Sequence, residues 1–154
     1  MLIEKGAKVN AKNDGGGTPL HGACINGHVN VAKLLIENGA EVNAKDNDGN
    51  TPLYWACNYG HVNVAKLLIK FEADVNAKND FGGTPLHGAC YNGHVNVAKL
   101  LIKCGADVNA KDNDECTPLH WACINGHVNV AKLLIKFEAD VNAKNDFGGT
   151  PLHG

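Results

Sequence analysis

Apolar positions along this chain change their period twice and then start over. On a helical wheel Leu20, Ala23 and Cys24 share one side, with Gly22, Ile25 and Asn26 opposite. Thr18 is placed as an N-cap, and Pro19 suits the first helical position, where a missing N–H removes no hydrogen bond. Gly27 then ends this short helix. From about Val29 a second helix carries Val31, Leu34 and Leu35 at helical spacing, with Asn30, Lys33 and Glu37 on its outer side. Val29, Ala32 and Ile36 widen the apolar stripe, and a helix apolar over that much of its circumference needs neighbours on more than one side. Gly39 is placed for a left-handed C-cap. The stretch from Val42 to Gly49 then concentrates Asn, Asp and Gly as an extended turn or hairpin does. The predicted unit is helix, turn, helix, hairpin.

That unit recurs every 33 residues. Thr18-Pro19-Leu20-His21 returns as Thr51-Pro52-Leu53-Tyr54, Thr84-Pro85-Leu86-His87, Thr117-Pro118-Leu119-His120 and Thr150-Pro151-Leu152-His153. A fixed period of this length is the signature of a stacked repeat array. The expected units are 18–50, 51–83, 84–116 and 117–149. Residues 1–17 read as the end of a second helix plus its hairpin, since Met1 to Ala7 align with Leu34 to Ala40, and 150–154 as the start of a further unit.

The repeat resembles the ankyrin repeat over the whole chain. The residues that carry the likeness are the Thr-Pro-Leu-His opening, Ala23-Cys24, Gly27-His28, Val31-Ala32-Lys33-Leu34-Leu35-Ile36 and Gly39-Ala40-Glu41-Val42-Asn43-Ala44. The resemblance implies an all-α solenoid of stacked helix-turn-helix units with projecting β-hairpin loops, cut from a longer protein. It further implies a non-catalytic interaction scaffold without a cofactor, whose protein partner lies along a concave groove of first helices and hairpin tips. In such a repeat His21, His87 and His120 tie down the hairpin, His28, His61, His94 and His127 the turn, and the series Asn10, Asn43, Asn76, Asn109 and Asn142 stabilises the hairpin.

Differences among the internal copies carry the information about a site. On the outward side of the first helix the residues run Gly22, Trp55, Gly88, Trp121; then Ile25, Asn58, Tyr91, Ile124; then Asn26, Tyr59, Asn92, Asn125. Units 51–83 and 117–149 differ only at Tyr54/His120, Asn58/Ile124 and Tyr59/Asn125. Trp55, Tyr59, Tyr91, Trp121 and Ile124, with Asn58 and with Tyr54 at the edge, are the expected protein-binding stripe, because aromatic anchors dominate interface hot spots. The competing reading is that each Trp leans over a neighbouring Gly and fills space. Hairpin tips add Phe81 and Phe147, which either meet a partner or pack on an adjacent hairpin.

Composition narrows the function classes. In 154 residues with 44% hydrophobic and 19% charged content, a globular fold is expected rather than disorder. A net charge of −2, with every one of the 14 basic residues a lysine, offers no field and no guanidinium fork for nucleic acid. No apolar stretch is long enough to span a membrane and the N-terminus is not a signal peptide, so no membrane role is expected and a cytoplasmic, reducing location is. Cys24, Cys57, Cys90 and Cys123 recur in register and read as small buried thiols rather than disulfides. Their Cys-x-x-x-His spacing does not put both side chains on one helix face, so neither a zinc site nor a catalytic Cys–His pair is expected. Cys104 and Cys116 fall at variable positions and are the thiols expected to be exposed, with no activating base nearby.

Other departures carry expectations about strain and ends. Glu72 and Glu138 replace the capping glycine, and Glu115 the hairpin glycine. Phe71 and Phe137 beside them read as core. Apolar half-units at Leu2-Ile3 and Pro151-Leu152 suggest weak head-to-tail self-association, and with it the alternative role of a spacer within a longer array that stacks end to end.

Overall fold

In the computed structural model, which describes residues 8–153, Thr18 opens the first helix by reciprocal capping. Its hydroxyl accepts from the His21 N–H, while the Thr18 N–H donates to His21 Nδ1 at 3.0 Å. With Nδ1 accepting, the proton sits on Nε2, which donates to the Asn50 carbonyl at 2.9 Å, at the far end of the following loop. Thr84–His87 and Thr117–His120 repeat the arrangement, reaching the carbonyls of Cys116 and Gly149. One imidazole thus joins a helix start to the loop that leads into the next unit. Tyr54 breaks the series: Thr51 still caps the helix through the Tyr54 N–H, but the second half of the box is missing.

Among the described residues eight α-helices result, α1 Pro19–Ile25, α2 Val29–Glu37, α3 Pro52–Asn58, α4 Val62–Lys70, α5 Pro85–Tyr91, α6 Val95–Lys103, α7 Pro118–Ile124 and α8 Val128–Lys136, followed by a 3-10 turn at Pro151–His153. First helices stack α1 on α3 on α5 on α7, and second helices α2 on α4 on α6 on α8. The fold is an all-α repeat solenoid. Projecting loops are closed as hydrogen-bonded turns, and no strand occurs among the described residues. Expectations for Met1–Ala7, including Leu2-Ile3, and for Gly154 lie outside the described residues.

The core is built from most of the positions the wheel assigns inward, but Val31 of α2 is exposed and Cys123 of α7 only half-buried. Leu20, Leu53, Leu86 and Leu119 are wholly buried, as are Cys24, Cys57 and Cys90. Burial pushes the Cys24 thiol up to about 12 and raises Cys57 and Cys90 further, so these thiols stay protonated. Other sequence expectations fail as well. Cys116 is buried, not exposed, because it closes the loop under the amide of Asn145, 3.6 Å away; Cys104 is exposed as expected. Phe137 is exposed and Phe71 only half-buried, because both stand at the C-caps of α8 and α4, beyond the buried stripe. The ammoniums of Lys70 and Lys136 lie 5.9 and 6.0 Å from their rings.

Contacts between units form four ladders. His61, His94 and His127 donate from Nε2 to the carbonyls of Ile25, Asn58 and Tyr91, where the preceding first helix ends. Room for each ring comes from a glycine: a Cβ on Gly27, Gly60 or Gly93 would stand 2.7, 2.6 or 2.6 Å from Nδ1 of the next unit's histidine. Asn10, Asn43, Asn76 and Asn109 bridge forward to the C-terminal end of the next second helix, as in Asn43 Oδ1 accepting from the Asp74 N–H at 2.9 Å. Lys12, Lys45 and Lys78 donate to the carbonyls of Lys45, Lys78 and Lys111. Loop tips also pair through the backbone, with Asp80 N donating to Asp48 O at 2.9 Å and Asn113 N to Phe81 O at 3.0 Å. His61, His94 and His127 and the asparagines therefore join units to one another, whereas His21, His87 and His120 hold the loop of their own unit, as expected.

Glu72, Glu115 and Glu138 keep the left-handed backbone of the glycines they replace, at φ 69°, 61° and 69°. Each costs on the order of 1 kcal/mol relative to glycine. The half-exposed Lys111–Glu115 pair at 3.1 Å offsets little of that. Glu72→Gly/Glu115→Gly/Glu138→Gly is expected to stabilise the fold by about 2–3 kcal/mol in all. A urea midpoint that does not rise contradicts this.

Candidate protein-binding groove

The alternation of Gly and Trp on the first helices has a partner in the loops. Nine residues before each Trp stands an aspartate: Trp55 Nε1 donates to Asp46 Oδ2 at 2.8 Å and Trp121 Nε1 to Asp112 Oδ2 at 2.9 Å. The other oxygen of each carboxylate holds the loop closed, Asp112 Oδ1 accepting from the Asp114 and Cys116 N–H groups at 3.0 and 2.9 Å. In the intervening loops the residue is Asn13, Asn79 or Asn145, whose Oδ1 makes the same two bonds. The amide NH₂ turns away, from Asn79 to Asn50 Oδ1 at 2.9 Å and from Asn145 to the Cys116 sulfur. An indole N–H needs an acceptor, and a carboxylate has a second oxygen to offer where an amide has a donor. Asp therefore goes with Trp, and Asn13 and Asn79 with Gly22 and Gly88.

Sequence reasoning missed Asp46 and Asp112 as supports of the site. The signal was present, because positions 46, 79 and 112 alternate in step with 55, 88 and 121.

This tether also settles how the Trp residues sit. Nothing lies within 4 Å of a Cβ built on Gly22, and the atom closest to one on Gly88 belongs to Tyr54, at 3.3 Å. The indoles are held by loop carboxylates and remain half-buried, and none lies over Gly22.

Gly88 consequently floors a depression of about 320 Å³. Tyr54 and Asn58 of α3, Tyr91 of α5, Trp121 of α7 and Phe81 of the loop tip line it. Tyr91 and Trp121 pack with ring centroids 5.5 Å apart and planes tilted by 57°. Asn58 Oδ1 accepts from Asn92 Nδ2 at 2.9 Å, fixing the amides between them. Trp55 and Tyr59 extend the aromatic surface beside Tyr54: Trp55 meets Tyr54 edge-on at 5.6 Å and stacks on Tyr59 at 6.0 Å. Ile124 and Phe147 do not line the depression, although both are exposed. Phe81 and Phe147 stay 66% and 82% exposed, so neither is packed away on an adjacent loop. Burial, helped by the Asp46 charge and Tyr59, raises the Tyr54 phenol, which keeps its proton.

His87 lies in the wall of the same depression. Burial lowers its pKa below the ordinary 6.5, outweighing the Cys116 carbonyl and Asp112, which raise it. A depressed histidine leaves the unfolded chain binding more protons, so its contribution to stability is whole above 6.5 and declines as pH falls below it, levelling under the folded value. Urea midpoints measured across that interval are expected to fall on acidification at up to about 1.4 kcal/mol per pH unit per such group; a rise contradicts the assignment.

Residues 44–112 and 86–153 match the family profile described as ankyrin repeats (3 copies), and residues 2–54 the one described as ankyrin repeats (many copies). The chain belongs to the ankyrin-repeat family. Ankyrin repeats generally mediate protein–protein interaction, and the family is typically non-catalytic. No curated protein matches the chain. Among the described residues no helix is long and apolar enough to cross a membrane. Nor is any group of three or more His, Cys, Asp or Glu side chains among them arranged to hold a metal ion.

Proposed function

We propose that this ankyrin-repeat chain binds a partner protein by seating an extended segment of it along the first helices, under the loop tips, with the depression over Gly88 as the anchor point. The observation that carries the reading is the convergence of Tyr54, Phe81, Tyr91 and Trp121 on one recess, with Tyr91 49% and Phe81 66% exposed. Exposed aromatic surface gathered at one place is what interface hot spots use. Trp55 and Tyr59 continue that surface on one side, and Ile124 and Phe147 add exposed apolar area on the other helix and tip. The rigidity that such an anchor needs comes from the carboxylate tethers on both Trp residues. The thiols of Cys24, Cys57 and Cys90 are held protonated in the core and take no part in this arrangement.

The test is quantitative capture. Phe81→Ser/Tyr91→Ser, both at exposed positions, is expected to lower partner capture by at least about tenfold with the melting temperature nearly unchanged. Lys66→Ser/Lys99→Ser, on exposed positions of the second helices, is expected to leave capture intact. Equal capture by the two variants removes the groove from consideration.

A further inference from the structure

We infer that the depression over Gly88 receives a cationic side chain, a lysine or arginine of the partner segment; the inference rests on the groove reading above. Four aromatic rings surround the recess, and among the described residues the only formally charged one lining it is Asp112. No lysine among the described residues lines it. The remaining polar walls are neutral amides and His87, whose Nδ1 accepts the Thr84 N–H at 3.1 Å while Nε2 donates to Cys116 O at 3.0 Å. An ammonium or guanidinium beside aromatic rings is attracted by their quadrupoles, and more strongly where water is partly excluded. Asp112 strengthens that preference. Its two oxygens already accept from Asp114 N, Cys116 N and Trp121 Nε1. A carboxylate has about four acceptor directions, so one is left for a charged donor.

The surroundings agree in sign. Asp80 and Asp114 are exposed on the adjoining tips. The loop lysines nearest in sequence are engaged: Lys78 donates to the Lys111 carbonyl at 3.0 Å, and Lys111 pairs with Glu115 at 3.1 Å. The equivalent place over Gly22 supplies an internal contrast. There Gly15 and Ile25 stand where Phe81 and Tyr91 stand over Gly88, while the Trp55–Asp46 tether is the same. The carboxylate–indole pair is thus present twice and the ring of aromatic walls once.

The experiment follows the two indole N–H resonances of the intact chain by ¹H–¹⁵N NMR during titration with three capped amino acids. These are Nα-acetyl-lysinamide, Nα-acetyl-argininamide and the uncharged Nα-acetyl-norleucinamide. The lysine or arginine probe is expected to move the Trp121 resonance at a concentration at least about fivefold below norleucinamide, with Trp55 nearly still. Tyr91→Leu, which keeps apolar volume and removes a ring, is expected to weaken the cationic probes about fivefold and leave norleucinamide unchanged. Norleucinamide binding as well as the cations overturns the cation assignment alone, and leaves the groove as an apolar docking site. Cations that move both indoles alike, or neither, overturn it too, the former by showing ion pairing that any Asp–Trp tether would give. The groove itself stands or falls on the capture comparison between the two double variants.

Discussion

Leu86→Ala lowers the stability of the chain by about 3–4 kcal/mol. Leu86 lies wholly buried in α5, between α3 and α7, which contribute Leu53 and Leu119 at the same position. Alanine there loses the transfer free energy of the side chain and leaves a cavity that helices packed on both sides cannot collapse into. Tyr91→Ala, on the same helix but half-exposed, is expected to cost less than about 1 kcal/mol, within the range of surface substitutions. The pair of variants separates scaffold from site: one unfolds early in urea, the other melts normally and loses its partner. A Leu86→Ala midpoint close to wild type contradicts the packing account.

Asp112→Ala is the second large loss, about 2–4 kcal/mol, because hydrogen bonds to a charged acceptor are worth more than neutral ones. It removes the acceptor of two loop N–H groups and frees the Trp121 indole in one step. Asp112→Asn keeps an oxygen for the loop and lacks one for the indole, so it is expected to lose roughly half as much. Tryptophan fluorescence reports the difference: both variants shift Trp121 emission toward that of a solvated indole, and only alanine also lowers the urea midpoint steeply. Alanine and asparagine variants of equal stability contradict the loop-closing role.

Much of the fold was legible in the sequence because its determinants are local and periodic. Thr-Pro caps, the wheel positions of Leu20, Ala23 and Cys24, and the glycines after each helix act within a few residues of themselves, and each recurs 33 residues on. The same locality marked Trp55, Tyr59 and Tyr91 as outward, since the face opposite a buried stripe follows from the wheel alone. What the sequence could not reveal depends on register between units. His61 reaches Ile25 across 36 residues and Asn43 reaches Asp74 across 31, and only the stacked geometry says which atoms meet. Cys116 looked exposed because its position varies, yet the Asn145 amide of the next loop covers it. Phe137 looked buried because phenylalanine usually is, whereas a C-cap position points it away from the stripe. The tether between Asp112 and Trp121 fell between these cases: its sequence signal exists, but the meaning of a nine-residue offset appears only once loop and helix are placed together.

Site-specific photo-crosslinking tests the central claim most directly. A benzophenone side chain is introduced at position 91, in the groove, or at position 99, on the exposed face of α6, and irradiated in a lysate of the source cells. The account predicts a discrete adduct from position 91 that excess unlabelled chain competes away and that excess Phe81→Ser/Trp121→Ser chain does not, with no such adduct from position 99. An adduct that forms from position 99 instead, or one from position 91 that the groove variant competes equally well, contradicts it.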